Sequence, residues 1–315
     1  MPLLSAFSVL DPKGFVGLAE RGLMVHAVEF MLIVALPVYI LLFFFAWWYR
    51  AGNAKATYVP NWEHAKMEEL IWWAIPFEIV LILGALTWTS THTLDPRKAL
   101  DSTVQPLVVE VVALDWKWLF IYPEQHIATV NYVEMPIDRP VRFEVTADAP
   151  MNSFWIPQLG GQIYAMTGMI NELNLIANEP GVFAGGSANY SGDGFAQMKF
   201  SAHAVSQEDF DVWVQEVKST KSLLSFDAYN ALAKPSIGNE VTYYGGVETN
   251  LFNMIVAKFM GQSSEKSSSG AAGLQGDASE NNFSEFWREK ESSTATASPH
   301  SPAAVEGELS GSHFN

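Results

Sequence analysis

The chain has 315 residues, a formal net charge of −16 and 49% apolar residues. It contains no cysteine, which excludes disulfides, thiolate metal ligands and cysteine nucleophiles. The acid excess argues against nucleic acid as a partner, because phosphate backbones bind basic surfaces.

Residues 1–23 read as an N-terminal segment with a turn at Leu10-Asp-Pro-Lys-Gly14. From Phe30 to Tyr49 no charge occurs over 20 residues. At about 1.5 Å per residue that run spans roughly 30 Å, the thickness of a bilayer's hydrocarbon core. It predicts a transmembrane helix over 24–49. A loop over 50–68, containing Pro60, leads to a second apolar run, Leu70 to Thr91, broken only by Glu78. This predicts a second transmembrane helix over 69–92. Trp47, Trp48 and Tyr49 close the first run, and Trp72 and Trp73 open the second, so interfacial aromatics flank one loop and mark one membrane face. Pro37 and Pro76 each remove a backbone hydrogen bond and are expected to kink their helices. Arg50, Lys55 and Lys66 in the loop face Lys13, Arg21, Arg97 and Lys98 on the outer flanks, a weak charge bias.

Near residue 105 the texture changes. Leu107-Val-Val-Glu-Val-Val-Ala113, Phe143-Glu-Val-Thr-Ala147 and Ile170-Asn-Glu-Leu-Asn-Leu-Ile-Ala177 read as strands, separated by turn signals such as Glu179-Pro-Gly181. Many short strands without intervening helices predict a sandwich or Greek-key barrel over 105–205. Phe210, Trp213, Val214 and Val217 have helical spacing, with Ser206 as a possible N-cap. Further helical segments are expected near 225–233 and 249–260, within a helical region over 206–261. The Ser-, Ala-, Gly- and Glu-rich remainder, 262–315, reads as a disordered tail.

One loop carries the functional signal. Ala184-Gly-Gly-Ser187-Ala-Asn189-Tyr-Ser191-Gly-Asp-Gly-Phe195-Ala-Gln-Met198 resembles the copper loop of cytochrome c oxidase subunit II, G-x-C-x-E-x-C-x-x-x-H-x-x-M. Its spacing is kept, but Ser187 and Ser191 stand at the cysteines, Asn189 at the glutamate and Phe195 at the histidine; only Met198 retains its type. The run Met151-Asn152-Ser-Phe-Trp-Ile-Pro157 resembles the family's L-H-S-W-x-x-P motif, with Asn152 at the second histidine. A binuclear copper centre needs bridging thiolates and imidazoles, and a protonated serine hydroxyl is no substitute. Asp115-Trp116-Lys-Trp118-Leu-Phe120-Ile-Tyr122-Pro-Glu resembles the family's aromatic strand. Met67-Glu68-Glu69-Leu-Ile-Trp72 resembles the start of its second membrane helix. The resemblance that these motifs carry covers roughly residues 10–260. They resemble the copper-less branch of the haem-copper oxidase superfamily, subunit II of bacterial ubiquinol oxidases of the bo/ba type.

The resemblance implies a membrane-anchored all-β protein: a two-helix transmembrane hairpin, a cupredoxin-like Greek-key β-barrel and short C-terminal helices. It places 1–23 and the barrel in the periplasm, 50–68 in the cytoplasm, and the chain in the bacterial inner (plasma) membrane. It implies a non-redox-active subunit of a proton-pumping oxidase that reduces oxygen to water with ubiquinol. No cofactor is expected in this chain; haems and copper are expected in partner subunit I, with subunits III and IV as further partners. Relatives often begin with a lipoprotein signal ending in cysteine, whereas Phe7 follows Leu4-Ser5-Ala6 here, so a lipid anchor is not supported.

Several residues keep two readings. Alternation puts Trp116, Trp118, Phe120 and Tyr122 on one strand face, as barrel core or as packing against a partner subunit. In copper-bearing relatives this region lies where electrons enter. Glu69, or its neighbour Glu68, matches an acid at the mouth of a proton channel, or is a helix-start acid favoured by the dipole. Glu78 is costly in hydrocarbon and is assigned to packing or hydrogen bonding, or to proton or quinone contact. His126 and His203 are read as structural or surface residues, and Met151, Met166, Met169 and Met198 as core fillers. The alternative from another class is a membrane-tethered periplasmic binding or sensor module on a degenerate cupredoxin barrel. A copper-bearing cytochrome c oxidase subunit is disfavoured by the missing thiols, and a copper chaperone by the lack of clustered Met and His.

Overall fold

A computed structural model describes residues 8–57 and 65–259. The expectations for Leu4 to Phe7, for Pro60 and for the 262–315 tail lie outside the described residues.

Two long helices open the fold, α1 (Phe15–Trp48) and α2 (Lys66–Thr93). Helix α1 begins nine residues before the expected start, and its first turn buries Val16 and Gly17 against the barrel. Both helices continue without interruption past Pro37 and Pro76. Their apolar side chains are exposed along most of their length. That surface requires lipid or partner helices, since water would not tolerate it.

The strands β1 (Leu107–Leu114), β2 (Lys117–Tyr122), β3 (Ile127–Val130), β4 (Tyr132–Pro136), β5 (Val141–Ala147), β6 (Asn152–Trp155), β7 (Ile163–Ala165), β8 (Asn171–Leu175), β9 (Gly181–Ser187) and β10 (Lys199–Val205) form two facing sheets. A further strand, β12 (Thr242–Tyr244), joins the first, giving the orders β12-β3-β2-β1-β5-β8 and β4-β10-β9-β6-β7. Parallel pairing of β1 with β5 and of β4 with β10, among otherwise antiparallel neighbours, is a cupredoxin-like arrangement.

Alternation along each strand decides where the core sits. Val109, Val111, Trp118, Phe120, Phe143 and Val145 point between the sheets and meet Phe154, Phe200 and Met198. The opposite face of β1 to β3 is also apolar, with Val112, Leu114, Leu119, Ile121 and Val130. A sheet with two apolar faces needs a second cover, and the C-terminal region supplies it. Leu224 on β11 (Leu223–Leu224), Tyr229 on α4 (Phe226–Leu232), and Leu251, Phe252, Ile255 and Val256 on the helix at 251–259 close that face. Each such buried side chain contributes about 1.5–3 kcal/mol. The helices expected over 206–218 and near 225–233 and 249–260 are present, and the region also holds short strands that the sequence reading did not include: β12 pairs with β3, and β11 pairs with β13 (Gly246–Val247). Helix α3 (Gln207–Ser219) is capped by Ser206, whose Oγ accepts from Asp209 N at 3.1 Å.

Backbone bonds join the barrel to the outer helix ends. Lys13 N donates to Gln158 O (2.7 Å), Gly17 N to Leu159 O (3.0 Å) and Asn174 N to Pro96 O (2.9 Å). Gly14 is required at this junction, because a Cβ there would lie 2.3 Å from Ile176 O.

Candidate functional site

The six positions of the copper-loop resemblance come from three places in the fold. Asn152 opens β6, Ser187 ends β9, and the following loop carries Asn189, Ser191, Phe195 and Met198. The loop bends where Gly192, at φ +111°, and Gly194 pass over the indole of Trp116. A Cβ on Gly194 would meet Trp116 Cγ at 2.3 Å, so the approach needs glycine.

Asn152, Ser187 and Met198 are brought together. Asn152 is 1% exposed and Met198 1% exposed, and the Asn152 Nδ2 donates to the Met198 sulfur at 3.3 Å. The Ser187 hydroxyl contacts Asn152 Oδ1 and lies 3.1 Å from the Asn189 carbonyl oxygen. Asn189 turns its amide outward from this contact, donating to Met151 O at 3.1 Å. Ser191 and Phe195 do not join the group. The Ser191 carbonyl accepts from Trp116 Nε1 at 3.2 Å, and its buried Oγ has no hydrogen-bond partner among the described residues. Phe195 packs edge-to-face on Tyr190 at 5.6 Å between centroids.

This donor set does not fit a binuclear copper centre. Two hydroxyls and two amides are neutral, hard groups, Phe195 offers no donor atom, and the Met198 sulfur is already engaged by an amide. Among the described residues no group of three or more His, Asp or Glu side chains converges as metal ligands. What the arrangement does is close the end of the barrel with hydrogen bonds where a buried polar gap would otherwise be costly.

The aromatic strand divides. Trp118, Phe120 and Tyr122 are fully buried between the sheets, ringed by Phe154, Phe200, Phe210 and Trp213. Tyr122 Oη donates to Glu134 O (2.9 Å) and accepts from Glu134 N (2.8 Å). Trp116 does not share their face. It lies in the two-residue turn between β1 and β2 at φ +63°, which breaks the alternation, and it serves the loop instead.

Glu68 and Glu69 occupy the first turn of α2, and Glu78 lies further along the same helix; all three are exposed on this chain. Met151 and Met169, expected as core fillers, are 44% and 48% exposed. Met151 directly precedes β6 and Met169 lies in the connection between β7 and β8, both outside the strands, and of the four methionines only Met198 is fully buried. His126 is exposed, and His203 lies 3.1 Å from Ser201 Oγ with its ring 4.6 Å from Tyr132.

Two charged features were not singled out from sequence. Glu110, Glu144 and Glu172 stand side by side across β1, β5 and β8. Burial, then the neighbouring Glu144, pushes the Glu110 carboxyl up to about 7. The signal was an acid within Leu107-Val-Val-Glu110-Val-Val, but only the strand register shows that three acids align. The second is the buried Asp148, which Tyr229 and Lys258 hold from 81 and 110 residues away. No local pattern marks it.

Comparison with known proteins agrees in its coverage. The family model for "Cytochrome C oxidase subunit II, periplasmic domain" matches residues 123–205, and that for "COX Aromatic Rich Motif" matches 218–263. The chain is 54% identical to cytochrome bo(3) ubiquinol oxidase subunit 2 of Pseudomonas putida over 275 residues, 87% of this chain and 88% of that protein. It is 51% identical to the same subunit of Pseudomonas aeruginosa, over 80% of this chain and 76% of that one. Among solved structures, the periplasmic domain of cytochrome oxidase subunit II of Bradyrhizobium japonicum aligns with 22% identity and a TM-score of 0.37, covering 39% of this chain and 99% of that one.

Proposed function

Because the chain belongs to the ubiquinol oxidase subunit 2 family, within the haem-copper oxidase subunit II fold, it is a membrane-anchored subunit of a terminal quinol oxidase, and we propose that its barrel carries no electrons. The observation that carries this reading is the Asn152–Ser187–Met198 contact, which fills the place of a copper centre with neutral hydrogen-bonding groups.

In this reading electrons pass from ubiquinol directly to haems and copper held by partner subunit I, and subunits III and IV complete the complex. The barrel lies on the periplasmic side of the bacterial inner membrane and caps subunit I. The two helices present their exposed apolar surfaces to subunit I and to lipid. The complex couples oxygen reduction to proton pumping. Glu69, with Glu68 beside it, opens a proton path where α2 meets the cytoplasm. A carboxylate there can take a proton from water and release it along an internal chain of groups. Glu78 lies nine residues from Glu69, about half a turn away in angle, so the two do not line one narrow path.

The test is a donor comparison on the purified complex. Ubiquinol is expected to support oxygen consumption and reduced cytochrome c is not. The metal content is expected to be no more than partner subunit I requires. Binuclear copper bound to this chain, or turnover with cytochrome c, would overturn the reading.

A further inference from the structure

The outer ends of α1 and α2 enclose, with the barrel, a cleft of about 520 Å³. Phe15, Leu94, Leu100 and Ile176 supply apolar walls, and Lys98, Asp101 and Glu20 reach its polar part. The volume suits part of an amphipathic molecule, since small-molecule sites span about 300–1,000 Å³.

Depth identifies the solvent that bathes it. The apolar run of α2 ends at Thr91, and Leu94 lies three residues further on, about 4.5 Å along the axis. A head-group layer extends about 5–8 Å beyond the hydrocarbon on each side. The cleft therefore opens at the level where phospholipid head groups are the most abundant solute.

Charge selects among them. Among the described residues Lys98, Asp101 and Glu20 form no ion pair, although Glu20 accepts from the backbone N–H of Gly161. With Asp95 also lining the cleft, acids outnumber the single lysine. A purely anionic head group would meet net repulsion. A phosphate beside Lys98 with an ammonium beside Glu20 and Asp101 would satisfy both signs, and a primary ammonium can donate hydrogen bonds to carboxylates where a quaternary one cannot.

We infer that this cleft binds one zwitterionic phospholipid with a primary ammonium head group, clamping the barrel to the membrane helices. The inference rests on the bilayer placement of α1 and α2 and is independent of whether the barrel carries electrons.

The experiment is native mass spectrometry of the intact oxidase complex, delipidated and then supplied with phosphatidylethanolamine, phosphatidylcholine or phosphatidylglycerol. The wild-type complex is expected to retain one additional phosphatidylethanolamine and neither of the others. Lys98→Glu, at an exposed position, and Leu100→Trp, which fills the cleft, are each expected to lower that retention at least fivefold. Equal retention by all three proteins, or preference for phosphatidylglycerol, would overturn the inference. So would a photoreactive residue at position 100 that captures a partner subunit instead of lipid. If Leu100→Trp does not assemble, Lys98→Glu decides the outcome alone.

Discussion

Tyr229 donates its hydroxyl hydrogen to Asp148 Oδ2 at 2.6 Å, and Lys258 Nζ lies 2.9 Å from both oxygens of the same carboxylate. The Asp148 side chain is only 6% exposed, so these bonds pin the C-terminal cover to the end of β5. Asp148→Ala is expected to destabilise the cover by about 2–3 kcal/mol and Tyr229→Phe by about 1–2 kcal/mol, because a hydrogen bond to a buried charge is worth more than a neutral one. Limited proteolysis between residues 220 and 259 checks this: both variants are expected to be cut faster than wild type, Asp148→Ala the more so.

Asn152→Ala would strand the Ser187 hydroxyl and leave a gap beside the Met198 sulfur. A loss of about 1–3 kcal/mol in stability follows from the unmet polar group and the cavity. Ubiquinol turnover per haem is expected to stay at the wild-type level. A fall in turnover with full assembly would show that the loop takes part in chemistry.

Gly194→Ala forces a Cβ into the Trp116 ring, against a stretch of loop and a residue at φ +63°. The expected result is a displaced indole and a melting temperature lower by several degrees, corresponding to about 1–3 kcal/mol. Tryptophan fluorescence is expected to shift as the Trp116 Nε1 bond to Ser191 O is lost.

Glu69→Ala and Glu68→Ala, made separately, test the proton path. One of them is expected to slow turnover about tenfold, equivalent to about 1.4 kcal/mol in the limiting barrier, with haem content unchanged. Wild-type rates in both would remove the path. Glu78→Gln is expected to leave assembly and the pH profile of turnover unaltered, consistent with packing.

The Glu110 carboxyl, raised to about 7 by burial and by Glu144, stays protonated in the fold at pH values where the unfolded chain has released its proton. The folded state then binds more protons, so stability falls as pH rises from the ordinary carboxyl range through about 7. Solvent screening of this half-buried group limits the effect to about 1 kcal/mol. Glu110→Gln is expected to flatten the decline in thermal stability between pH 5 and 8. An unchanged slope would place the pH dependence elsewhere.

Much of the fold was legible because its signals are local. A twenty-residue uncharged run in α1, and alternation in β1 and β5, depend only on neighbours in sequence. Trp116 was misplaced for the same reason: alternation was extended through a two-residue turn that the pattern alone does not reveal. The C-terminal strands were missed because β12 is short and exists only where it pairs with β3. The row of Glu110, Glu144 and Glu172 depends on register between three strands, which no single strand encodes.

By itself, the order of side-chain types settled that no thiolate or imidazole stands at the loop positions, and that two segments are long and apolar enough to cross a bilayer. Those are properties of composition and spacing, fixed before any folding occurs. Tertiary structure alone decided that Asn152 meets Ser187 and Met198, that Trp116 lies under Gly194, and that both faces of one sheet are covered. Each of these joins residues far apart in the chain, so it depends on strand pairing and on the need to satisfy buried polar groups.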